Sequence, residues 1–193
     1  TTAILFPICN ENVSRVYAGL YSVYQSLQKT EERELFDFFI LSDTKDPDKW
    51  IEEEAAWKDL CVRVNGIGRI FYRNRRVSIK KKSGNISDFC RRWGYKYRYM
   101  VVMDADSIMS GSTIARMVKT MESRPGIGIL QTAPLGINAK TLFARLQQFT
   151  THIYGPFFSA GLHYWLLGNA NYWGHNAIIR IEPFIKHCAL PKL

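Results

Sequence analysis

The stretch Tyr99-Met100-Val101-Val102-Met103-Asp104-Ala105-Asp106-Ser107 decides the fold of this chain. Its apolar, partly β-branched beginning predicts a buried strand, which ends abruptly in two carboxylates. In extended chain, residues i and i+2 point the same way, so Asp104 and Asp106 can face one small object just beyond the strand. Two like charges this close repel each other unless a cation or a proton compensates them.

Two interpretations of this carboxylate pair stay open when it is taken alone. Carboxylate oxygens are hard ligands that suit Mg²⁺ or Mn²⁺, and such ions are usually shared with substrate phosphates. Alternatively, the pair lies in a solvated turn, where Asp104 or Asp106 caps a helix that begins near Ser110. The rest of the chain has to distinguish them.

Composition places the chain among folded domains with anionic partners. A length of 193 residues suits one domain, and a hydrophobic fraction of 47% supports a substantial core and excludes a disordered chain. The net charge of +9 favours nucleotides, nucleic acid or an acidic membrane surface. Four widely spaced cysteines without a Cys-x-x-Cys pair argue against a zinc site or disulfide framework and favour a reducing compartment.

The two ends of the sequence give an expectation about its origin. No signal peptide precedes the first strand pattern, and no apolar run reaches the roughly 20 residues that a spanning helix needs. The chain begins directly in a strand pattern and stops at Leu193, just after an apparent helix. We therefore expect residues 1–193 to be a soluble domain excised from a larger protein.

Strand and helix patterns alternate along the chain. The predicted strands are Ala3–Phe6, Phe36–Leu41, Arg69–Tyr72, Tyr99–Met103, Ile127–Gln131 and Ala177–Ile181. The predicted helices between them include Ile86–Trp93, Ser112–Met121 and one that begins at Pro47 with Asp46 as its N-cap. This alternation predicts an α/β fold, with a mainly parallel central sheet flanked by helices.

Polar residues follow three of the predicted strands. Asn10 and Glu11 follow the first strand, Asp43 follows the second, and Asp104 and Asp106 follow the fourth. Ligands of parallel α/β sheets bind outside the carboxyl ends of the strands, so these side chains are candidates for one site. No Gly-x-Gly-x-x-Gly or Gly-Lys-Ser/Thr loop is present, which disfavours dinucleotide and P-loop sites.

A basic segment between Tyr72 and Trp93 contains the motif Lys82-Ser83-Gly84-Asn85 just before a predicted helix. Glycine allows close approach of the backbone to a ligand, and a lysine beside a helix N-terminus suits phosphate. Basic residues interleaved with aromatic ones are also typical of a nucleic-acid surface. We favour the phosphate site over the nucleic-acid surface.

The last third of the chain changes character. Between Leu146 and Ile179 there is no Lys, Arg, Asp or Glu, and aromatic residues are frequent. Such a stretch can form core, a sugar-stacking surface or a membrane-facing surface, and we expect core for most of it. The motif Trp173-Gly174-His175-Asn176 interrupts the apolar pattern, so His175 can be a ligand contact or simply a hydrogen-bonded histidine.

Taken in order, these motifs resemble family 2 glycosyltransferases. The matching motifs are Pro7-Ile8-Cys9-Asn10-Glu11, Asp43, Lys82-Ser83-Gly84-Asn85, Asp104-Ala105-Asp106, and Gly174-His175-Asn176 with Arg180. The segments PICNEN, KSGNISDFCRRWG, YMVVMDADS and YWGHNAIIR are similar to the branch that builds osmoregulated periplasmic glucans in Gram-negative bacteria. The resemblance implies a GT-A nucleotide-sugar transferase fold, truncated at its C-terminal side, with residues 1–107 as the donor half and 108–193 beginning the acceptor half.

The resemblance also implies an activity and roles for single residues. The expected reaction is inverting transfer of glucose from UDP-glucose to a glucan acceptor, with Mg²⁺ or Mn²⁺, in an enzyme of the inner membrane whose catalytic domain faces the cytoplasm. It implies possible contact with an acyl carrier protein and none with nucleic acid. The implied nucleotide-sugar residues are Pro7, Asn10, Glu11, Asp43, Lys82, Gly84, Asn85 and Asp104; Asp106 and Asp104 would hold the metal, and Trp173, Gly174, His175 and Asn176 would face the acceptor.

The sequence departs from the family pattern at the catalytic base. An inverting transferase needs a base within reach of the acceptor hydroxyl, and family members supply an aspartate after the region of Gly174 and Arg180. Beyond Asn176 the only acidic residue is Glu182, so we expect the base to lie past Leu193 and residues 1–193 to be inactive. The alternatives are a nucleotidyltransferase, or a basic module that binds RNA or a membrane surface.

Overall fold

A six-stranded sheet lies at the centre of the part of the chain that the structure, a computed structural model, describes: residues 1–167, 169 and 171–188. The strands are β1 (Thr2–Ile8), β2 (Phe36–Ser42), β3 (Ile70–Asn74), β4 (Tyr99–Val102), β5 (Ile129–Gln131) and β6 (Ala177–Arg180). The helices are α1 (Val13–Gln28), α2 (Pro47–Arg63), α3 (Lys81–Trp93), α4 (Gly111–Ser123), α5 (Leu142–Trp165) and α6 (Ile181–His187).

The strand order is β3-β2-β1-β4-β6-β5. Strands β1 to β4 pair in parallel, whereas β6 runs antiparallel to both β4 and β5. In register, Ile8 lies opposite Ser42, and Ala177 lies opposite Val102. The predicted α/β fold with a mainly parallel sheet and flanking helices is confirmed.

The core lies on both faces of the sheet because alternate residues of the buried strands point to opposite faces. Ile4 and Phe6 of β1 pack on one face with the apolar side of α1, including Leu20. Leu5 packs on the other face, where Phe89 of α3 is fully buried. The sheet is thus covered by helices on both sides, and its carboxyl edge is left open for a site.

The start of α4 tests whether Asp104 or Asp106 caps a helix. Ser110 caps α4, since its hydroxyl accepts a hydrogen bond from the amide of Thr113 at 3.1 Å. Neither Asp104 nor Asp106 caps this helix, so the capping part of the alternative interpretation is wrong, although both residues do lie in a turn. The predicted cap of α2 is confirmed, because the Asp46 side chain accepts from the amide of Asp48 at 3.1 Å.

Two local predictions near the site are wrong. Strand β4 ends at Val102, and Asp104 and Asp106 lie in a turn in which the amide of Ser107 donates to the carbonyl of Asp104 at 3.1 Å. The extended arrangement of the two carboxylates is therefore replaced by a turn. Helix α3 begins at Lys81, earlier than the predicted Ile86, so Lys82-Ser83-Gly84-Asn85 lies within its first turns.

Helix α5 overturns the expectation that the charge-free aromatic stretch is mostly core. It has no buried residue, and its half-buried positions are the small or polar Ala144, Gln148, Gly155 and Ser159. The large apolar side chains point away from the domain, with Phe157 76% and Trp165 81% exposed. Among the described residues, no helix has both the length and the apolar character needed to cross a membrane.

Candidate functional site

A cavity of about 700 Å³ opens at the carboxyl edge of the sheet. Pro7, Asn10 and Glu11 line it from the end of β1 and the segment after it, and Asp43 lines it from the end of β2. Parallel pairing of β1 and β2 brings these strand ends together, as expected for an α/β sheet. The predicted donor residues of the first two strands thus share one cavity.

The other walls of the cavity come from α3 and from the turn after β4. Lys82 and Asn85 line it from α3, and Asp104 and Asp106 line it from the turn. Gly84 is the one predicted donor residue outside the lining. Its amide donates to the carbonyl of Lys80 at 3.1 Å, and a Cβ there would lie 2.0 Å from the carbonyl oxygen of Ile79. Glycine at this position therefore serves close backbone packing at the start of α3.

Asp43 is held by an arginine that sequence reasoning did not connect with it. The Arg75 guanidinium donates through Nε to Oδ1 at 2.8 Å and through Nη2 to Oδ2 at 2.7 Å, and both side chains are largely buried. Charge-assisted bidentate pairs of this kind fix geometry. Each carboxylate oxygen keeps a second lone pair, so Asp43 can still accept a hydrogen bond from a ligand.

The rim of the cavity at Asn10 has an unusual backbone. Asn10 has φ 59°, in the left-handed region that asparagine tolerates better than most residues. Its amide donates to Oγ1 of Thr44 at 2.9 Å, and its carbonyl accepts from Nζ of Lys49 at 3.2 Å. Thr44, just after β2, and Lys49, in the first turn of α2, therefore determine the shape of this rim.

Asn85 is a wall of the cavity whose polar atoms are already used. Its side chain is only 1% exposed. The amide nitrogen donates to the carbonyl of Leu41 at 2.8 Å, and the amide oxygen accepts from Nη2 of Arg73 at 2.6 Å. Asn85 therefore joins α3 to the sheet. It would contribute to ligand binding through the shape of the cavity wall rather than through a hydrogen bond.

Asp104 contacts both α3 and the segment before β6. One of its oxygens is paired with Nζ of Lys82, and the other lies 3.6 Å from Nδ1 of His175. Burial, and secondly the negative charge of Asp104, raise the pKa of Tyr172 to about 12. Tyr172 therefore stays a neutral hydroxyl beside this carboxylate at physiological pH.

The carboxylates fit a divalent ion that is shared with a ligand. Asp106 is exposed and has Nη2 of Arg15 at 4.0 Å, a distance at which solvent screens most of the attraction. No group of three His, Cys, Asp or Glu side chains with metal-binding geometry exists in the described part of the chain. Mg²⁺ commonly takes one or two protein carboxylates and fills its other positions with phosphate oxygens and water. Asp104 and Asp106 suit that role.

The segment Trp173–Asn176 lies at the same edge as Asp104 because β6 runs antiparallel to β4. Nδ2 of Asn176 donates to the hydroxyl of Ser107 at 3.0 Å, directly after the carboxylate turn. The amide of Trp173 donates to Oε1 of Gln131 at 3.1 Å, at the end of β5. The predicted acceptor segment and the predicted donor pocket are therefore neighbours.

This segment has unused hydrogen-bonding capacity. Six buried side-chain polar atoms of the described residues have no hydrogen-bond partner, and four of them lie in or next to this segment: Nε2 of Gln131, the hydroxyl of Tyr172, Nδ1 of His175 and Oδ1 of Asn176. The other two are Nε and Nη1 of Arg73. Buried polar atoms are normally paired, and such a concentration is typical of a region that binds polar groups or water. Gly174 has φ 89°, which favours glycine at this turn.

Sequence reasoning missed several residues of the cavity. Lys45, Ser78 and Lys81 also line it, as does Cys9. Cys9 belongs to the motif from Pro7 to Glu11, which the family resemblance implies lines the nucleotide pocket, and Lys81 lies inside the basic segment. Lys45 and Ser78 follow strand ends without any distinguishing pattern, so only the fold reveals them.

The chain is similar to known proteins along nearly its whole length. The model of the family described as "Glycosyl transferase family 2" matches residues 3–188. The protein named "Glucans biosynthesis glucosyltransferase H" from Ralstonia nicotianae is 62% identical over 189 residues, which is 98% of this chain and 22% of that protein. The protein of the same name from Pseudomonas paraeruginosa is 60% identical over 192 residues, 100% of this chain and 22% of that protein.

The chain thus spans about a fifth of the length of these curated relatives. Among solved structures, S. aureus TarS 1–349 matches with a TM-score of 0.50 and 10% identity, covering 74% of this chain and 38% of that one. At this identity the match concerns the fold alone.

Replacing Arg75 tests whether the buried pair with Asp43 holds the pocket. We expect Arg75→Met to lower the free energy of unfolding by about 3–5 kcal/mol, because it leaves Asp43 buried without its cation. Urea denaturation followed by circular dichroism measures this change. Arg76→Met, at the exposed neighbouring position, should change stability by less than about 0.5 kcal/mol. Equally small effects of both substitutions would contradict this account of Asp43.

Proposed function

This chain belongs to glycosyl transferase family 2, and on that premise we propose that it forms the donor-binding part of an inverting glucosyltransferase. The reaction would transfer glucose from UDP-glucose to a growing glucan backbone. The observation that carries the proposal is the meeting of three strand ends, with their carboxylates and the lysines of α3, in one cavity of about 700 Å³. This volume is in the range of small-ligand pockets. The glucan acceptor is inferred from the names of the relatives.

The nucleotide would lie on the segments after β1 and β2. Pro7 and Asn10 would line the pocket, and Glu11 would lie near the ribose or the uracil. The Asp43 carboxylate, fixed by Arg75, would accept a hydrogen bond from the uracil ring. A bidentate pair supports this role, since it holds the acceptor oxygen in place before the ligand arrives.

The diphosphate would lie between α3 and the carboxylate turn. Lys82 pairs with Asp104 in the free protein, and a diphosphate would offer its ammonium group a competing anion. Asp104 would then face the ribose and the donor sugar, and Asp106 would hold Mg²⁺ or Mn²⁺. When bound, such an ion stabilises the negative charge that develops on the departing UDP, so no acid has to protonate the leaving group.

The acceptor glucan would lie against Trp173–Asn176, where residues 108–193 begin the acceptor half. The half-exposed ring of Trp173 offers a surface for sugar stacking. Nδ1 of His175 and Oδ1 of Asn176 are buried without a hydrogen-bond partner, so an acceptor hydroxyl would bond to them only if this segment opens as the acceptor binds. These features support the acceptor role, with Gly174 giving the segment its turn.

The general base would come from outside residues 1–193. Glu182 is a poor candidate, because it follows β6 at the sheet edge opposite to Asp104. Its carboxylate also accepts from Nζ of Lys186 at 2.6 Å on the exposed side of α6. A donor domain without its base would bind UDP-glucose and transfer glucose extremely slowly.

We further propose that the enzyme works at the cytoplasmic face of a bacterial inner membrane. The outward apolar face of α5 supports this, because aromatic and aliphatic residues of this kind insert at a bilayer interface. No Asp or Glu occurs between Glu122 and Glu182, so an anionic surface would meet no carboxylate repulsion there. The acyl carrier protein that the resemblance implies stays a prediction.

Donor binding tests the proposed function directly. We expect calorimetric titration of UDP-glucose into the chain to show binding that strengthens at least about tenfold when Mn²⁺ is present, since the ion joins the diphosphate to Asp106. Asp106→Ala should lose the Mn²⁺ effect. Asp59→Ala, an exposed aspartate of α2, is the matched control and should bind as the unaltered chain does.

The same titration distinguishes the alternatives. A nucleotidyltransferase would bind UTP in preference to UDP-glucose. A nucleic-acid module would bind RNA with an affinity that falls steeply with salt and is indifferent to Asp106→Ala. Either pattern, without metal-dependent binding of UDP-glucose, would overturn the proposal.

Cysteine alkylation tests where the nucleotide binds. Cys9 lines the cavity, whereas Cys188 is exposed at the end of α6. Burial raises the pKa of Cys90 to about 12 and also raises that of Cys61, so both buried thiols should react slowly. We expect saturating UDP with Mg²⁺ to slow iodoacetamide labelling of Cys9 at least about fivefold and leave Cys188 unchanged, as measured by peptide mass spectrometry. Equal rates at Cys9 with and without UDP would place the nucleotide elsewhere.

Vesicle flotation tests the role of α5. We expect the chain to float with vesicles of phosphatidylethanolamine and phosphatidylglycerol, and Phe157→Ser with Trp165→Ser to reduce the bound fraction at least about tenfold. Tyr95→Ser removes an aromatic ring of similar exposure away from α5 and should float as the unaltered chain does. Concentration-dependent dimers without flotation would assign the α5 face to a second copy instead.

A further inference from the structure

A buried carboxylate outside the cavity connects several elements around it. Glu53 of α2 is 1% exposed. Its Oε1 accepts from the hydroxyl of Thr44 at 2.6 Å, and its Oε2 accepts from the hydroxyls of Ser42 at 2.6 Å and Tyr72 at 3.0 Å. Its backbone carbonyl accepts from the hydroxyl of Tyr17 at 2.7 Å. An ionised carboxylate has lone pairs for all three side-chain donors.

The hydroxyls that Glu53 holds flank Asp43. Ser42 and Thr44 lie on either side of this aspartate and both donate to the same carboxylate. The amide of Thr44 in turn donates to Oγ of Ser42 at 3.1 Å, and Nδ2 of Asn74 donates to the carbonyl of Thr44 at 3.0 Å. The backbone around Asp43 is thus fixed by a hydrogen-bond network centred on Glu53, which lies outside the cavity lining.

The network also reaches the rim at Asn10. A threonine hydroxyl has one hydrogen, and that of Thr44 is donated to Glu53. Oγ1 of Thr44 therefore faces Asn10 with its lone pairs and accepts the Asn10 amide hydrogen at 2.9 Å. Glu53 thus sets the direction of this relay of hydrogen bonds, in which Thr44 donates to Glu53 and Asn10 donates to Thr44. The last of these bonds holds Asn10, whose φ lies in the left-handed region.

We propose that the buried carboxylate of Glu53 is a positioning group for the donor pocket. Acting through Ser42 and Thr44, it fixes the strand end that carries Asp43 and the backbone amide of Asn10. Glu53 touches no ligand in this proposal, which rests on the proposed function of the cavity as a nucleotide-sugar site. Glu53 would act on the affinity for the nucleotide. A pocket that is already held in its bound shape needs less ordering when the ligand binds, so the binding free energy is more favourable.

Two substitutions break the relay in different ways. In Glu53→Gln the amide nitrogen can only donate, so whichever way the amide faces, Ser42 or Thr44 loses its proton acceptor. Thr44→Val keeps the shape and removes the acceptor of the Asn10 amide. For both variants we expect the Kd for UDP, measured by calorimetry with Mg²⁺, to rise about tenfold.

Matched variants separate an effect of positioning on UDP affinity from a loss of folding stability. Thr44→Ser keeps the hydroxyl and should restore UDP affinity to within about twofold of the unaltered chain. Ser42 and Thr44 flank Asp43, whereas Tyr72, the third side-chain donor to Glu53, lies on β3. Tyr72→Phe removes only this third donor. Burial, and secondly the charge of Glu53, raise the pKa of Tyr72, so its hydroxyl is a proton donor at all working pH values. Tyr72→Phe should therefore lower Tm and leave the Kd for UDP unchanged.

The outcomes keep this inference distinct from the proposed function. Met121→Ala, in the buried end of α4, gives a second destabilised chain for comparison at equal Tm. If Glu53→Gln and Thr44→Val bind UDP as tightly as Met121→Ala does, Glu53 has a structural role only and the inference is wrong. If the unaltered chain binds no UDP at all, the proposed function fails instead.

Discussion

Hydrogen bonding along the central strand β1 fixes where the carboxylates of the site lie. This strand pairs in parallel with β2 on one side and β4 on the other. The register continues past the strands, because the amide of Asp43 donates to the carbonyl of Ile8 and the amide of Met103 donates to the carbonyl of Leu5, each at 2.9 Å. Asp104 follows directly after the second of these bonds. The hydrogen bonds of the sheet therefore fix the position of Asp43 and of the point where the turn with Asp104 and Asp106 begins.

The three carboxylates Asp43, Asp104 and Asp106 differ in how firmly each is held by a cationic side chain. Asp43 is buried and bonded through both oxygens to Arg75, so its charge is balanced permanently. Asp104 is partly exposed and shares its charge with Lys82, a flexible ammonium group that an anionic ligand can attract. Asp106 is largely exposed and only weakly compensated. Solvent screening increases along this series, and with it the ease of exchanging a protein cation for a metal ion or a phosphate.

Sequence patterns predict the strand ends well because the apolar runs and the polar residues that follow them are local features. They do not identify Arg75 as the partner of Asp43, since many basic residues lie in the same segment and the pair is 32 positions apart. Sequence patterns also place the start of α3 too late, because Lys82-Ser83-Gly84-Asn85 contains weak helix formers. The close approach of Gly84 to the Ile79 carbonyl depends on the backbone turn at the start of α3, which no residue pattern records. Aromatic content alone also could not tell that α5 lies outside the core, because a pattern records an apolar face and not what covers it.

The antiparallel direction of β6 places both ends of the connection that contains α5 beside Trp173–Asn176, the proposed acceptor segment. The chain leaves the sheet after Gln131 at the carboxyl edge, makes the α5 excursion, and returns at Ala177, which lies opposite Gln131 in the same register. Both ends of the excursion are tied there, because the amide of Thr132 donates to the carbonyl of Asn176 at 3.0 Å. A partner or surface that covers the aromatic face of α5 therefore acts on a segment anchored beside Trp173–Asn176. Under the proposed function, such a contact would act on the proposed acceptor segment, whereas the proposed donor pocket, which is held through β1, would stay in place.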